Sequence, residues 1–180
     1  TTSLPVAPTN VSGNTTSCSF TVTVKDTQAP AITCPANIVQ ANTTGQCWTT
    51  VTFNSASAAD NCTVSPAIAN LGMASGSFFA VGTTSVTFRA TDAANNSATC
   101  SFTVTVNDTQ APAITCPANI TANNNPAEAC SAVVQYGAPA ATDNCGVGSV
   151  ALASGLSGGS TFPVGITTNS WRAIDINGNS

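Results

Sequence analysis

An internal repeat constrains the fold of this chain more than any other feature of its sequence. The twelve residues TQAPAITCPANI at 27–38 recur unchanged at 109–120, which is an offset of 82 residues. The stretch SCSFTVTVKD at 17–26 returns as TCSFTVTVND at 99–108. Self-similarity at a fixed period indicates that one structural unit is repeated along the chain.

The repeat predicts three parts. Residues 27–108 form a complete module, which we call the first module, and residues 109–180 form a second module that lacks its last strand. Residues 1–26 correspond to the end of a module. Within them, residues 15–26 match residues 97–108 at 8 of 12 positions.

Apolar and polar residues alternate in the segments that recur. Phe102, Val104 and Val106 are separated by threonines, and Val51 and Phe53 alternate with threonines in the same way. A period of two with β-branched and aromatic residues is typical of half-buried strands. Modules of about 80 residues built from short strands and frequent turns indicate tandem immunoglobulin-like β-sandwiches, an all-β fold.

The composition argues against several functions. The chain has three basic residues, too few to neutralise a nucleic-acid backbone. It has no apolar run near the roughly 20 residues that a membrane helix needs, so we expect no membrane insertion. Histidine is absent, and no nucleophile stands beside a general base, so we predict that the protein is not an enzyme.

The repeated strings resemble a known family. DTQAPAITCPANI at 26–38, ADNC at 59–62 and the long string from Gly76 to Asp108 together resemble the HYR (hyalin repeat) domain over the whole chain. The resemblance implies an extracellular immunoglobulin-like module, usually present in tandem and linked to adhesion or surface structure. It implies an extracellular location, either secreted or at the cell surface. It implies no enzymatic activity.

The chain has eight cysteines without a CxxC pair, which favours disulfides in a secreted protein over a zinc site. The four cysteines of the first module allow three connectivities. If the pairing follows the repeat, the bonds within the chain are Cys34–Cys100, Cys47–Cys62 and Cys130–Cys145.

Two cysteines are left over by that scheme. Cys18 is the repeat equivalent of Cys100, and Cys116 is the equivalent of Cys34, so the two are of complementary type. We predict that they form a disulfide between subunits. The strand that an N-terminal segment would donate to the second module of a neighbouring subunit contains Cys18, Phe20, Val22 and Val24.

These features predict a secreted structural protein, the subunit of a filament or surface stalk, with identical subunits joined head to tail. Two alternatives stay open. In the first, the chain is an adhesion module that binds a glycan or a protein receptor. Trp48 is then the candidate contact, because Ser131 replaces it in the second module. Otherwise it is a spacer from a larger secreted protein, in which the partner of Cys116 follows Ser180.

All six aspartates fall into two equivalent sets of three, and asparagines accompany them. The candidate ligands are Asp26, Asp60, Asn61, Asp92 and Asn96 in the first set, and Asp108, Asp143, Asn144, Asp175 and Asn179 in the second. Carboxylate and amide oxygens are the ligands that Ca²⁺ prefers. Asp and Asn are also common turn residues. We predict a calcium site at the entrance of each module.

Overall fold

The computed structural model describes residues 2–3, 12–14, 16, 18–125 and 130–180. The strands of that part, in chain order, are β1 (Thr2–Ser3), β2 (Thr21–Val22), β3 (Ala31–Thr33), β4 (Ile38–Ala41), β5 (Trp48–Val51), β6 (Ser57–Ala59), β7 (Ala67–Asn70), β8 (Ser77–Ala80), β9 (Gly82–Thr91), β10 (Ser97–Asn107), β11 (Ala113–Thr115), β12 (Ser131–Val133), β13 (Ala140–Thr142), β14 (Val147–Ser154), β15 (Thr161–Pro163) and β16 (Ser170–Asp175). The predicted all-β class is confirmed. Over these ranges, no helix has the length and apolarity needed to cross a membrane.

Most strand pairs are antiparallel. The four-stranded sheet has the order β4-β10-β9-β7, in which β10 runs parallel to β4 and β9 runs antiparallel to β7. The two-stranded pairs are β1–β2, β3–β6, β5–β8, β11–β13, β12–β15 and β14–β16. Repeat-equivalent pairs keep their register, since Trp48 faces Ala80 in β5–β8 and Ser131 faces Pro163 in β12–β15.

Contacts divide the chain into two compact units. The first comprises Thr1–Pro35, Ser55–Gly72 and Thr87–Ser101, and the second comprises Ala36–Asn54, Met73–Val86 and Phe102–Ser180. The division of the sequence into parts 1–26, 27–108 and 109–180 stays a prediction.

The last strand of the first module fills a core within the second unit. Phe102, Val104 and Val106 of β10 are 3%, 0% and 1% exposed, which is the alternation that the sequence predicts. The ring of Phe53, just after β5, lies 5.0 Å from that of Phe102 and 6.3 Å from that of Phe79 in β8. Strand β10 therefore packs its apolar face against a second layer, as a β-sandwich requires.

The aromatic cluster of the second module is more open. Tyr136 lies 6.3 Å from Phe162 and 6.5 Å from Trp171, measured between ring centroids. All three side chains are half-buried. The repeat equivalent of Phe162 is Phe79, which is completely buried. Phe53, the equivalent of Tyr136, is half-buried as well, so the two modules differ at the other two ring positions, which are buried in the first module and half-buried in the second.

The cysteine pairing corrects the repeat-based expectation. Cys34 joins Cys100, with their Cα atoms 5.7 Å apart, as that scheme gives. Cys47, however, joins Cys145 at a Cα–Cα distance of 4.8 Å, and not Cys62. The expected pairs Cys47–Cys62 and Cys130–Cys145 are therefore not formed. The cysteines without a disulfide are Cys18, Cys62, Cys116 and Cys130, all exposed.

Contacts of the loop after β4 explain this pairing. The N–H of Gly45 donates to Oε1 of Gln110 at 2.8 Å, and Nδ2 of Asn144 donates to the carbonyl of Gln46 at 2.9 Å. These bonds hold the loop of the first module against the entrance of the second. Cys47 and Cys145 each follow directly on a bonded residue, so they are brought together. A spacing that is equal within each repeat cannot reveal a contact between repeats.

Candidate functional site

The structure brings together both predicted sets of aspartates. In each set, one carboxylate oxygen from every residue lies within 4.8 Å of the other two. The first cluster is Asp26, Asp60 and Asp92, and the second cluster is Asp108, Asp143 and Asp175. Each cluster lies within a single compact unit. We use the names first cluster and second cluster for these two sets.

A tight loop positions the third aspartate of each cluster. In the first cluster, Oδ1 of Asp92 accepts from the N–H of Asn96 and Oδ2 accepts from its side-chain amide, both at 2.8 Å. The loop needs one residue in the left-handed region, and Asn95 has a φ of 71° there. Its equivalent in the second loop is Gly178, with a φ of 96°. Asn and Gly are the residues that adopt this conformation most readily.

The equivalent loop lowers the pKa of Asp175. Desolvation acts to raise this pKa, but the side-chain amide and backbone N–H of Asn179, with the N–H groups of Asn177 and Gly178, outweigh it. The pKa of Asp175 therefore lies below its ordinary value. The carboxylate is held in its charged form, which is the form that binds a cation.

The second aspartate of each cluster is fixed by its own turn. Oδ2 of Asp60 accepts from the N–H groups two and three residues further along, both at 2.9 Å. Oδ2 of Asp143 accepts from the equivalent N–H groups at 2.8 and 3.0 Å. In both turns one carboxylate oxygen is used by the backbone, and the other oxygen is left over.

The first aspartate of each cluster shows the same division. Oδ1 of Asp26 accepts from the N–H of Gln28 at 3.0 Å. Oδ1 of Asp108 accepts from the N–H of Gln110 at 3.2 Å and from Nδ2 of Asn42 at 3.0 Å. Asp108 is 9% exposed, so its carboxylate is nine-tenths buried.

Four carboxylate oxygens are buried without a hydrogen-bond partner among the described residues. They are Oδ2 of Asp26, Oδ1 of Asp60, Oδ2 of Asp108 and Oδ1 of Asp143. Buried polar atoms are normally satisfied, so each exception needs a physical reason. The same two positions recur in both clusters, which indicates a shared arrangement rather than an isolated defect of packing.

Two predicted ligand asparagines brace the clusters through their nitrogen atoms. Nδ2 of Asn96 donates to Asp92 and, at 3.3 Å, to the carbonyl of Asp26. Nδ2 of Asn179 donates in the same way to the carbonyl of Asp108 at 3.3 Å. Both amide nitrogens therefore tie the third aspartate to the first one in their cluster, and oxygen ligation by these asparagines stays a prediction.

The other two asparagines differ from each other. Oδ1 of Asn144 is buried and has no hydrogen-bond partner among the described residues, while its Nδ2 donates to Gln46. Asn61, the repeat equivalent, is exposed. Asn144 therefore has a buried amide oxygen that no described group uses.

Neutral groups supply all the hydrogen bonds to the clusters described above. Each cluster joins three carboxylates at short range, and like charges at that distance repel one another. Arg172, close in sequence to Asp175, donates instead to the hydroxyl of Ser180 at 2.6 Å. In the hydrogen bonds described above, no basic side chain offsets the negative charge of either cluster.

The first cluster also affects a thiol. Desolvation raises the pKa of Cys62, and the charges of Asp26 and Asp60 raise it further. A thiol with a raised pKa carries less of the reactive thiolate at neutral pH. The exposed thiol of Cys62 therefore carries less thiolate than an ordinary cysteine does.

The predicted donor residues lie at the surface. Phe20, Val22 and Val24 are 56%, 51% and 90% exposed. Strand β2 pairs with β1, with Thr2 opposite Val22. The repeat equivalents of these residues in β10 are buried, so the same sequence pattern occurs in the chain once inside a core and once outside.

Two aromatic rings form a pair that the sequence suggested only in part. The ring of Trp48 in β5 contacts that of Phe78 in β8 at a tilt of 55°, with ring centroids 4.3 Å apart. Phe78 is 63% exposed. The second module has Ser131 and Thr161 at the equivalent positions. The exposure of Phe78 could not be predicted from the alternation of apolar and polar residues. Alternation assigns a side chain to one face of a strand but does not show whether other residues cover that face.

The chain is similar in sequence to a known domain family and to a curated relative. The model of the HYR domain family matches the chain twice, at residues 25–106 and 107–180. This chain belongs to the HYR domain family. A curated relative of these HYR modules is Hyalin from Strongylocentrotus purpuratus, 35% identical over an alignment of 190 residues that covers 98% of this chain. The chain spans 16% of the length of that relative.

Proposed function

We propose that this HYR protein is an extracellular structural protein whose subunits join head to tail in a filament or surface stalk. Membership of the HYR family favours an extracellular, non-enzymatic module of the adhesion type. The joint forms when residues 18–26 of one subunit complete the second module of its neighbour. The observation that carries the proposal is an open core in that module beside an exposed copy of the strand that closes the first module.

The second module provides the acceptor. In the first module, β10 lies between β4 and β9 and contributes the buried Phe102, Val104 and Val106. Residues 120–123, the repeat equivalents of β4, form no strand. Their expected partner is a strand of the β10 type. Without it the aromatic side chains of the module remain half-buried.

The N-terminal segment provides the donor. It keeps the alternation of Phe20, Val22 and Val24, and these side chains are more than half exposed. Adding a strand to an open sheet satisfies backbone groups and buries apolar surface together. Because donor and acceptor are different surfaces, the contact does not close on itself and propagates into a filament.

A disulfide between Cys18 of one subunit and Cys116 of its neighbour holds this joint covalently. In the first module, Cys34 and Cys100 are bonded, and their equivalents Cys116 and Cys18 are exposed and unbonded. The two thiols lose two protons and two electrons to an external disulfide such as oxidised glutathione, which is reduced to two thiols. One sulfur–sulfur bond then joins neighbouring subunits.

Strand donation can be tested by placing a charge on either face of the donor strand, residues 18–26. Val22→Asp places a charge on the face that enters the core, whereas Thr23→Asp places the same charge on the opposite face. Light scattering should find multimers for the wild type and Thr23→Asp, and monomers for Val22→Asp. Equal multimer content in both variants, or a monomeric wild type, would contradict the proposal.

A second measurement addresses the spacer alternative. The 180-residue chain has a mass of 17.8 kDa. Native material run on a non-reducing gel should give a ladder that collapses to one band near this mass after reduction. A much larger reduced band means one long tandem chain, and strand donation between subunits is then refuted.

We further propose that each aspartate cluster binds one Ca²⁺ and stiffens the loops that it joins. The supporting observation is the unpartnered Oδ2 of Asp108, a residue 9% exposed, beside the unpartnered Oδ1 of Asp143. Asp26 and Asp60 repeat the two unpartnered oxygens in the first cluster. Oxygens on opposite sides of a Ca²⁺ ion are about 4.6–5.2 Å apart, since each lies about 2.3–2.6 Å from the metal. Three oxygens within 4.8 Å of one another can therefore share one ion.

The calcium test uses Asp60→Asn and Asp143→Asn. An amide oxygen can keep the two turn hydrogen bonds, while the amide nitrogen replaces the unpartnered oxygen. Calorimetry with CaCl₂ should give two sites for the wild type and one for each variant. At about ten times Kd, Ca²⁺ at both sites should raise the Tm of the wild type by about 6–11 °C.

Removal of calcium provides the control. In EDTA each variant should melt at or above the wild-type temperature, because one negative charge has left a repelling cluster. Mg²⁺ should give a smaller shift, since it requires stricter octahedral geometry. No heat with CaCl₂ and an unchanged Tm in EDTA would refute the metal sites.

The contact between the half-buried Trp48 and the exposed Phe78 supports a second candidate function. Trp48 and Phe78 offer an aromatic surface of the kind on which a sugar ring can stack. An adhesion module that uses it should bind a glycan array, and Trp48→Ala should abolish that binding. A matched change of the buried Phe79→Leu should leave binding intact. Loss of binding in both variants, or in neither, would reject this role.

A further inference from the structure

The four cysteines without a disulfide form two pairs when the repeat is applied to them. All eight cysteines lie in the described part of the chain, and the bonded ones are Cys34 with Cys100 and Cys47 with Cys145. The repeat equivalents of these four are Cys116, Cys18, Cys130 and Cys62, in the same order. They are the same four cysteines that are unbonded and exposed.

The second of these bonds joins the two modules. Cys47 belongs to the first module, and Cys145 belongs to the second. The neighbouring contacts cross the same junction, from Gly45 to Gln110 and from Asn144 to Gln46. Cys47–Cys145 is therefore a property of the joint between consecutive modules, not of one module.

We infer that Cys130 of one subunit forms a disulfide with Cys62 of the next, so that every joint between subunits carries two disulfides. This inference rests on the proposed head-to-tail function. When residues 18–26 complete the second module of a neighbour, the first module follows that strand as the second module follows β10. The joint between subunits then repeats the joint within the chain, and Cys130 and Cys62 take the places of Cys47 and Cys145.

The bond forms by thiol–disulfide exchange. The thiolate of Cys130 attacks a small external disulfide and releases one thiol, and the thiol of Cys62 then displaces the second thiol from the mixed disulfide. Two protons and two electrons leave the pair of cysteines and reduce the external disulfide.

The test separates the bond between Cys130 and Cys62 from the proposed bond between Cys18 and Cys116. In a chain carrying Cys18→Ser and Cys116→Ser, oxidised glutathione should still produce covalent multimers on a denaturing gel. Adding either Cys62→Ser or Cys130→Ser to that chain should leave only monomers on the gel. A mixture of these two triple variants should give covalent dimers and no larger species.

The outcomes separate the inference from the function on which it rests. If the double variant gives only monomers on the denaturing gel while light scattering still finds multimers, the second disulfide is refuted and strand donation stands. If light scattering also finds monomers, head-to-tail assembly itself fails. Mass spectrometry should recover the peptide of Cys62 linked to that of Cys130, and a link from Cys62 to Cys47 would overturn the inference.

Discussion

Phe102 and Phe20 occupy the same position in two copies of one strand, and replacing each by Ala should affect a different property of the protein. Phe102 is 3% exposed, so Phe102→Ala should lower the free energy of unfolding by about 3–5 kcal/mol. Phe20 is 56% exposed, so Phe20→Ala should change the stability of the free chain by less than about 1 kcal/mol.

The effect of Phe20→Ala should appear in assembly instead. If Phe20 becomes as buried as Phe102 on joining, the side chain loses about half of its roughly 200 Å² of accessible surface. At about 25 cal/mol per Å², this burial is worth about 2.5 kcal/mol, or a weakening of subunit affinity by about 60-fold.

Urea unfolding of dilute, reduced chain measures the first quantity, and sedimentation velocity across a concentration series measures the second. Thr23→Ala, on the opposite face of the donor strand, is the control and should shift the dissociation constant less than threefold. The reasoning fails if Phe20→Ala destabilises the free chain as much as Phe102→Ala does. It also fails if the dissociation constant of Phe20→Ala equals that of the control.

Three further predictions concern the chain itself. Replacing both Cys34 and Cys100 by Ser opens a loop whose ends are 66 residues apart and should cost about 4 kcal/mol in urea unfolding; a loss below 1 kcal/mol would contradict the loop-entropy argument. Asn95→Gly should leave the Tm within a degree or raise it, whereas Asn95→Val should cost about 1–2 kcal/mol because its φ is 71°; equal effects would mean that backbone strain is not the cause. Non-reducing peptide mapping should recover Cys47 linked to Cys145, and a different partner for Cys47 would reject the module joint.

The strands of the first module were predictable because their causes are local. The alternation of Phe102, Val104 and Val106 specifies a strand with one buried face, and the repeat shows where that strand recurs. The aspartate sets were predictable for a similar reason, since equivalent positions in equivalent folds come together in both copies. A single cluster without a second copy would have carried much less information.

Contacts between modules were not predictable from the sequence. The partner of Cys47 depends on how the loop at Gln46 meets Asn144, and that contact joins residues 98 apart. The direction of an amide is equally hidden, because the sequence does not show that the nitrogen of Asn96 faces Asp92. Residue type and spacing describe what a group offers, whereas orientation is decided by its neighbours.

The bond between Cys34 and Cys100 also determines how a module responds to tension. A pull applied between residues 34 and 108 crosses the sulfur–sulfur bond from Cys34 to Cys100, so residues 35–99 carry none of the load. If this bond and Cys47–Cys145 are both reduced, those 65 residues extend by about 220 Å when drawn out. Reduction transfers the load to the parallel pairing of β4 with β10, whose hydrogen bonds are then loaded in shear and resist together. The redox state of the two disulfides therefore sets whether a module behaves as an inextensible link or as a spring with a long travel.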